Sequence, residues 1–152
     1  MPARVAWWLN LDGERELEHG DSYNRAPAVA ERVLQLTEHL RGSLIRDGDV
    51  VLSDDAASPP DALGRPWCVT TRAVAALRRL GLRVDDLPDV AVVRQANHRA
   101  FNAQLGQALP HARFVAERAE LNAVLSERSG SWLLKRPFSF GGAGRRRLMT
   151  ST

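Results

Sequence analysis

Lys135 and Arg136 close a short apolar run, Trp132-Leu133-Leu134, and are followed by Ser139, Gly141, Gly142 and Gly144 and then by Arg145, Arg146 and Arg147. A strand that delivers an ammonium group to the edge of a glycine-rich loop sets a fixed cation beside backbone free to turn several N–H groups toward one bound group. That combination suits phosphate oxygens. The order excludes a Walker A loop, in which the lysine follows the glycines. It also excludes a dinucleotide fingerprint, since Gly142-x-Gly144 runs into the arginines with no third glycine. The same residues fit, equally, a plain β-hairpin whose glycines make the turn and whose arginines are solvated.

These residues lie at the basic end of the chain. Residues 1–95 carry a net charge of −3 and residues 96–152 one of +6, with no acidic residue after Glu127. A phosphate, a carboxylate or a polyanion is the natural partner of such an end. With 152 residues, 44% of them hydrophobic, the chain suffices for one ordinary domain or two small ones with a filled core. No apolar run approaches the length of a membrane span, and the N-terminus MPARVAWWLN has no extended apolar region of a signal peptide. No membrane role and a cytoplasmic location are expected. The single cysteine, Cys68, reads as a buried small hydrophobe.

Several elements must position the basic end. Residues 5–11 are rich in β-formers and stop at the turn pair Asp12-Gly13, after which a polar loop runs to Ala26. Pro27 suits a first helical turn, and Val29, Val33, Leu36, Leu40 and Leu44 make one apolar stripe. Short strands are expected at 49–53 and 66–69, the first running into Asp54-Asp55 and the Ser58-Pro59-Pro60 loop. Thr70 or Thr71 caps a helix that carries Val74, Leu77 and Leu80 and stops at Gly81. Residues 90–93 read as a further buried strand or as an extended connection. Asn97 opens a helix through Leu109, with Phe101, Leu105 and Ala108 inward. Residues 113–115 are extended, residues 117–128 form a helix on Leu121, Val124 and Leu125, and Ser129-Gly130-Ser131 turns the chain into a strand at 132–135. The alternation favours an α/β layer with a largely parallel sheet. The best boundary lies near residue 95, where the charge changes sign.

Over about fifty residues, the stretch NHRAFNAQLGQALPHARFVAERAELNAVLSERSGSWLLKRPFSFGGAGRR resembles the first part of an ATP-grasp domain. That domain is the nucleotide-binding unit of carboxylate-amine and carboxylate-thiol ligases, biotin carboxylase and carbamoyl phosphate synthetase. The likeness lies in a series of features. A helix opens at Asn97-His98-Arg99, a G-x-x-x-P turn spans 106–110, and a short strand and a helix follow. An apolar strand then ends in Lys135 before the loop at 139–144.

The resemblance implies a Rossmann-like pre-ATP-grasp domain over 1–95, followed by the first, incomplete α+β subdomain of an ATP-grasp fold over 96–152. It implies that Arg99 and Lys135 contact the phosphates of ATP and that Ser139, Gly141, Gly142 and Gly144 form the loop closing over them. One departure stands out, because the family usually has proline directly after the lysine and here Arg136 intervenes before Pro137. The phosphate-facing cation is then Lys135 or Arg136, and strand alternation lets only one face the site without a bulge.

The family also has an adenine pocket with a hinge and, later, acidic and asparagine ligands for the magnesium that aligns the phosphates. Residues 145–152, RRRLMTST, do not supply them. The expectation is therefore the front portion of an ATP-dependent carboxylate ligase-like protein that binds ATP or ADP but has no ligase turnover as this chain alone. A second chain would supply the rest. Two alternatives are a stand-alone, non-catalytic nucleotide- or anion-binding module, and a nucleic-acid binder. In the latter, Lys135, Arg136 and Arg145 to Arg147 would meet backbone phosphates while Trp132, Phe138 or Phe140 stacked on bases. The acidic first domain and the absence of a nucleic-acid motif weigh against the last.

Other residue types suggest less. His19, His39, His98 and His111 have no metal-ligand spacing, and no metal site is expected. His98 stands next to Arg99, where it could support that arginine. Asp54-Asp55 follows a strand end, the place where α/β sheets put ligand-contacting groups, but suits a solvated loop equally well. Trp7-Trp8 reads as one core and one partly exposed tryptophan.

Overall fold

The computed structural model describes residues 4–43, 45–53, 57, 59, 61–106, 109–139 and 144–151. It is a mixed α/β structure with a small three-stranded parallel sheet and a two-stranded antiparallel one. The chain divides into two compact units, Met1–Arg94 and Gln95–Thr152.

In the first unit the strands are β1 (Val5–Trp8), β2 (Val50–Val51) and β3 (Leu63–Pro66), in the order β2-β1-β3. Ala6 pairs with Val50 on one side and with Gly64 on the other. The helices are α1 (Gly13–His19), α2 (Pro27–Arg41) and α3 (Thr71–Arg79), with α4 (Val90–Asn97) crossing into the second unit. Pro27 occupies the first turn of α2, where its missing N–H costs nothing. Thr70 caps α3, its Oγ1 accepting from the N–H of Ala73 at 3.1 Å. The core gathers Ala6, Leu52, Ala62, Leu77 and Leu82, with Trp8, Val50, Leu80 and Val84 packed against it. A Cβ added at Gly64 would stand 3.2 Å from both Leu77 Cδ2 and Leu82 Cβ, so the missing side chain lets α3 lie close on β3.

Several sequence expectations are corrected here. The first strand ends at Trp8, because residues 9–12 curl into tight turns in which Asn10 N–H donates to Trp8 O. The stretch expected as a polar loop holds α1, whose seven residues are mostly charged and carry no apolar stripe. The strand expected at 66–69 is Leu63–Pro66, in register with β1. Residues 90–93 are neither strand nor extended link but the start of α4, where Asp89 Oδ1 accepts from Ala91 N–H at 2.7 Å. The β-branched run was misleading because that local cap satisfies the first turn. Of the other expected features, Leu44, Asp54-Asp55, Ser58, Pro60 and Ala108 lie outside the described residues.

The second unit holds α5 (Arg99–Gln104), α6 (Arg118–Ser126), β4 (Gly130–Lys135) and β5 (Arg145–Thr150). The helix expected from Asn97 starts two residues later, since His98 is its cap, with Nδ1 accepting from Ala100 N–H at 3.2 Å. It ends at Gln104, ahead of Gly106 with its φ of +69°. Among the described residues no helix is long and apolar enough to cross a membrane.

Candidate functional site

β4 and β5 form a hairpin in which Leu133 lies opposite Arg147, Leu134 opposite Arg146, and Lys135 opposite Arg145. Paired residues of an antiparallel ladder share a face, and alternation puts Ser131, Leu133 and Lys135 together with Met149, Arg147 and Arg145. All six are exposed, whereas Trp132, Leu134, Leu148 and Thr150 on the other face are half-buried. Lys135 and Arg145 are thus like charges held directly across the ladder, an arrangement that is unfavourable unless an anion lies between or beside them. Among the described residues neither has an ion-pair partner. Arg147 is steadied by Ser131, whose Oγ accepts from Arg147 Nε at 2.8 Å.

The start of α5 meets the end of β4 through one arginine. Arg99 Nε donates to Arg136 O at 2.8 Å, Arg99 Nη2 to Ser139 Oγ at 2.5 Å, and the Arg99 backbone N–H to Pro137 O at 3.2 Å. Beside it, the His98 ring stands edge-on to Phe138, with centroids 5.1 Å apart, and tilted against Phe114 at 5.4 Å. Phe138 is the buried apolar residue of this corner. On the far side of the loop, Gly144 has φ +75°, a left-handed conformation open mainly to glycine. A Cβ there would stand 2.6 Å from Arg136 Cδ, so the Arg136 stem lies across the glycine.

The structure therefore brings Arg99, Arg136, Ser139 and Gly144 to one end of the hairpin, with Lys135 at the last rung of the ladder. Gly141 and Gly142 lie outside the described residues, as does Phe140. The ladder runs unbroken from Gly130 to Lys135, so no bulge reverses the alternation. Lys135 is on the exposed cationic face, while Arg136 offers its carbonyl to Arg99 and its stem to Gly144. Phe138 is 6% exposed and presents no open face for a base to stack on.

Sequence reasoning missed a second constellation, in the first unit. Directly after β1 and β3 stand four buried polar residues, Asn10, Asp12, Glu16 and Thr70. Asp12 accepts from Tyr23 Oη and from Arg25 Nε and Nη2, each at 2.7 Å. Thr70 Oγ1 donates to Glu16, whose carboxylate also lies 3.8 Å from Arg25 Nη2. Asn10 clasps the Cys68 backbone, accepting from its N–H at 3.0 Å and donating to its carbonyl at 2.9 Å. Burial, reinforced by the Asp12 bond, pushes the Tyr23 phenol up to about 12. Burial and the carboxylates of Glu16, Glu14 and Asp12 push the Cys68 thiol up to about 11, so it stays protonated and unreactive. In a parallel sheet of order 2-1-3 the crevice beyond the β1 and β3 ends is the usual ligand position. Here it is filled by the protein's own hydrogen bonds. Tyr23 and Arg25 follow Asp12 in a charge-dense stretch that gives no periodic signal, which is why the pairing was hidden.

Among the described residues no group of three or more His, Cys, Asp or Glu side chains is arranged to hold a metal ion. Comparison with protein-family models, with curated proteins and with solved structures finds no match for this chain.

Proposed function

We propose that the second unit binds the phosphate groups of ATP or ADP at the loop end of the β4–β5 hairpin, in the manner of the first subdomain of an ATP-grasp fold. The observation that carries this reading is the cationic rung, Lys135 opposite Arg145, on a face that also bears Arg147. A polyphosphate resting there relieves the cross-strand repulsion and accepts charge-assisted hydrogen bonds from all three side chains. Lys135, the residue that the resemblance to ligases implies, is the central cation. A glycine-rich stretch follows in the sequence, of a residue type whose backbone N–H groups an anion can approach closely. On the same reading the first unit is the Rossmann-like domain that accompanies ATP-grasp units, and the protein works in the cytoplasm.

The test is a thermal-shift titration with ATP and ADP, with and without magnesium, comparing the wild type with Lys135→Ala. Saturating nucleotide at a hundredfold excess over Kd adds about 2.7 kcal/mol and a rise of several degrees. The variant is expected to lose most of that rise. No rise in the wild type at millimolar ATP overturns the proposal. An equal rise in the variant moves the site away from the hairpin. A salt-steep preference for single-stranded nucleic acid over ATP would instead favour the polyanion reading.

A further inference from the structure

The family resemblance gives Arg99 and Lys135 the same task, touching phosphate, but the two residues are placed differently. Lys135 is exposed on the open face of the hairpin. Arg99 is half-buried, and two of its guanidinium nitrogens, Nε and Nη2, donate to protein acceptors. Two nitrogens on one edge of the planar guanidinium, Nε and Nη2, reach two points of the same short segment, the carbonyl of Arg136 and the hydroxyl of Ser139, while the backbone N–H of Arg99 donates to the intervening Pro137 carbonyl. The segment that leaves the last rung of β4 is thereby gripped at three of its four residues, 136, 137 and 139, by a residue 37 to 40 positions earlier.

We infer that Arg99 is a positioning residue rather than a phosphate ligand. It fixes the course of residues 136–139 as the chain leaves β4, directly after the Lys135 rung. The inference rests on the phosphate-site reading for its consequence, but not for its geometry.

The chemistry supports this division of labour. A guanidinium is planar and presents its donors in a fixed fork, so it can bridge a carbonyl and a hydroxyl with defined angles. An ammonium is a point charge and cannot hold both. The neighbouring contacts have the same purpose. His98 caps α5 through Nδ1 and packs its ring on Phe138, the residue between Pro137 and Ser139. The helix start and the segment leaving β4 are thus fastened by a polar bridge on one side and a ring contact on the other. Phosphate binding by charge has no need of such a geometry, whereas holding the course of residues 136–139 beside Lys135 does.

The experiment compares Arg99→Lys, Arg99→Ala and Ser139→Ala with the wild type by amide hydrogen exchange over 136–147 in nucleotide-free protein, and then by ATP titration at two salt concentrations. A latch needs the fork, so Arg99→Lys is expected to behave like Arg99→Ala. Both should speed exchange at 136–139 by about tenfold and weaken ATP by a similar factor, the size of losing a hydrogen bond to a charged group. Ser139→Ala, which removes one arm and leaves the rest of the fold intact, should give a smaller part of the same effect. The dependence of ATP affinity on salt should stay that of the wild type, since no phosphate contact is lost. The inference is overturned if Arg99→Lys binds ATP like the wild type, or if exchange is unchanged while Arg99→Ala loses affinity and its salt dependence flattens. Failure of the wild type to bind ATP would sink the proposed function alone, because the exchange comparison is made without nucleotide.

Discussion

Cys68 and Tyr23 are protonated groups that the folded first unit retains more tightly than the unfolded chain does. Burial moves the thiol from its ordinary 9.0 up to about 11, and the phenol from 10.0 up to about 12. The sign follows from proton counting. Below pH 9 both groups are protonated in both states and their contribution is whole. Between pH 9 and 11 the unfolded chain releases the Cys68 proton while the folded unit keeps it, and Tyr23 does the same one unit higher, so stability falls as pH rises through that window. We expect the melting temperature to decline from pH 9 to 12, and Cys68→Ala to remove the part of the slope that lies between 9 and 11. Melting curves of the two proteins at half-unit pH steps check this. A variant that kept the full slope would place the alkaline weakness elsewhere, in the Tyr23 phenol for example. The thiol should also resist alkylation in the native protein at pH 8 and react at an ordinary rate in urea.

At the scale of elements, α1 shows why part of the fold was illegible. Its sequence, GERELEH, has one buried apolar side chain, Leu17, and buries Glu16 beside it. What holds it is not a stripe but the polar network and one close approach, since a Cβ at Gly13 would stand 2.3 Å from Cys68 Cβ. Gly13→Ala should therefore destabilise the first unit by about 2 kcal/mol, as overpacking of a filled site does. Cys68→Ala should not relieve it, because the offending Cβ remains, whereas Cys68→Gly should restore part of the loss. Urea denaturation of the single and double variants measures the coupling. The elements that were legible announce themselves by local chemistry: Pro27 opening α2, Thr70 capping α3 and Gly81 following it, and the short apolar run Trp132-Leu133-Leu134 of β4. The strand β5 was legible only as one of two readings, because the arginines equally fit a plain hairpin with β4, and the antiparallel ladder shows that hairpin. The site was legible in the same uneven way. Arg99, Arg136 and Ser139, each singled out in the sequence, meet at the end of β4, and that Arg99 bonds to this segment depends on bond directions that no sequence spacing encodes.

At the scale of the whole molecule, the two units carry opposite charge and differ in how they are built. Residues 1–95 sum to −3 and hold the apolar core and the buried polar network. Residues 96–152 sum to +6, bury Phe138 among their described hydrophobics, and leave Leu133 and Met149 at 54% and 73% exposure on the cationic face. A unit with so little buried apolar area is held mainly by local hydrogen bonds, and such regions open with small free energies. An anion that binds only the closed form should then stabilise this unit far more than the other. Hydrogen exchange with and without saturating ATP is the measurement. Protection is expected to rise over 98–101 and 130–150, by up to about a hundredfold if ATP stands at a hundred times its Kd. Exchange at 5–8 and 71–79 should stay within twofold of its nucleotide-free rate. Increased protection spread evenly through β1 and α3 would mean that the nucleotide is held by the first unit, and the phosphate site would have to be sought beyond the ends of β1 and β3 instead of at the hairpin.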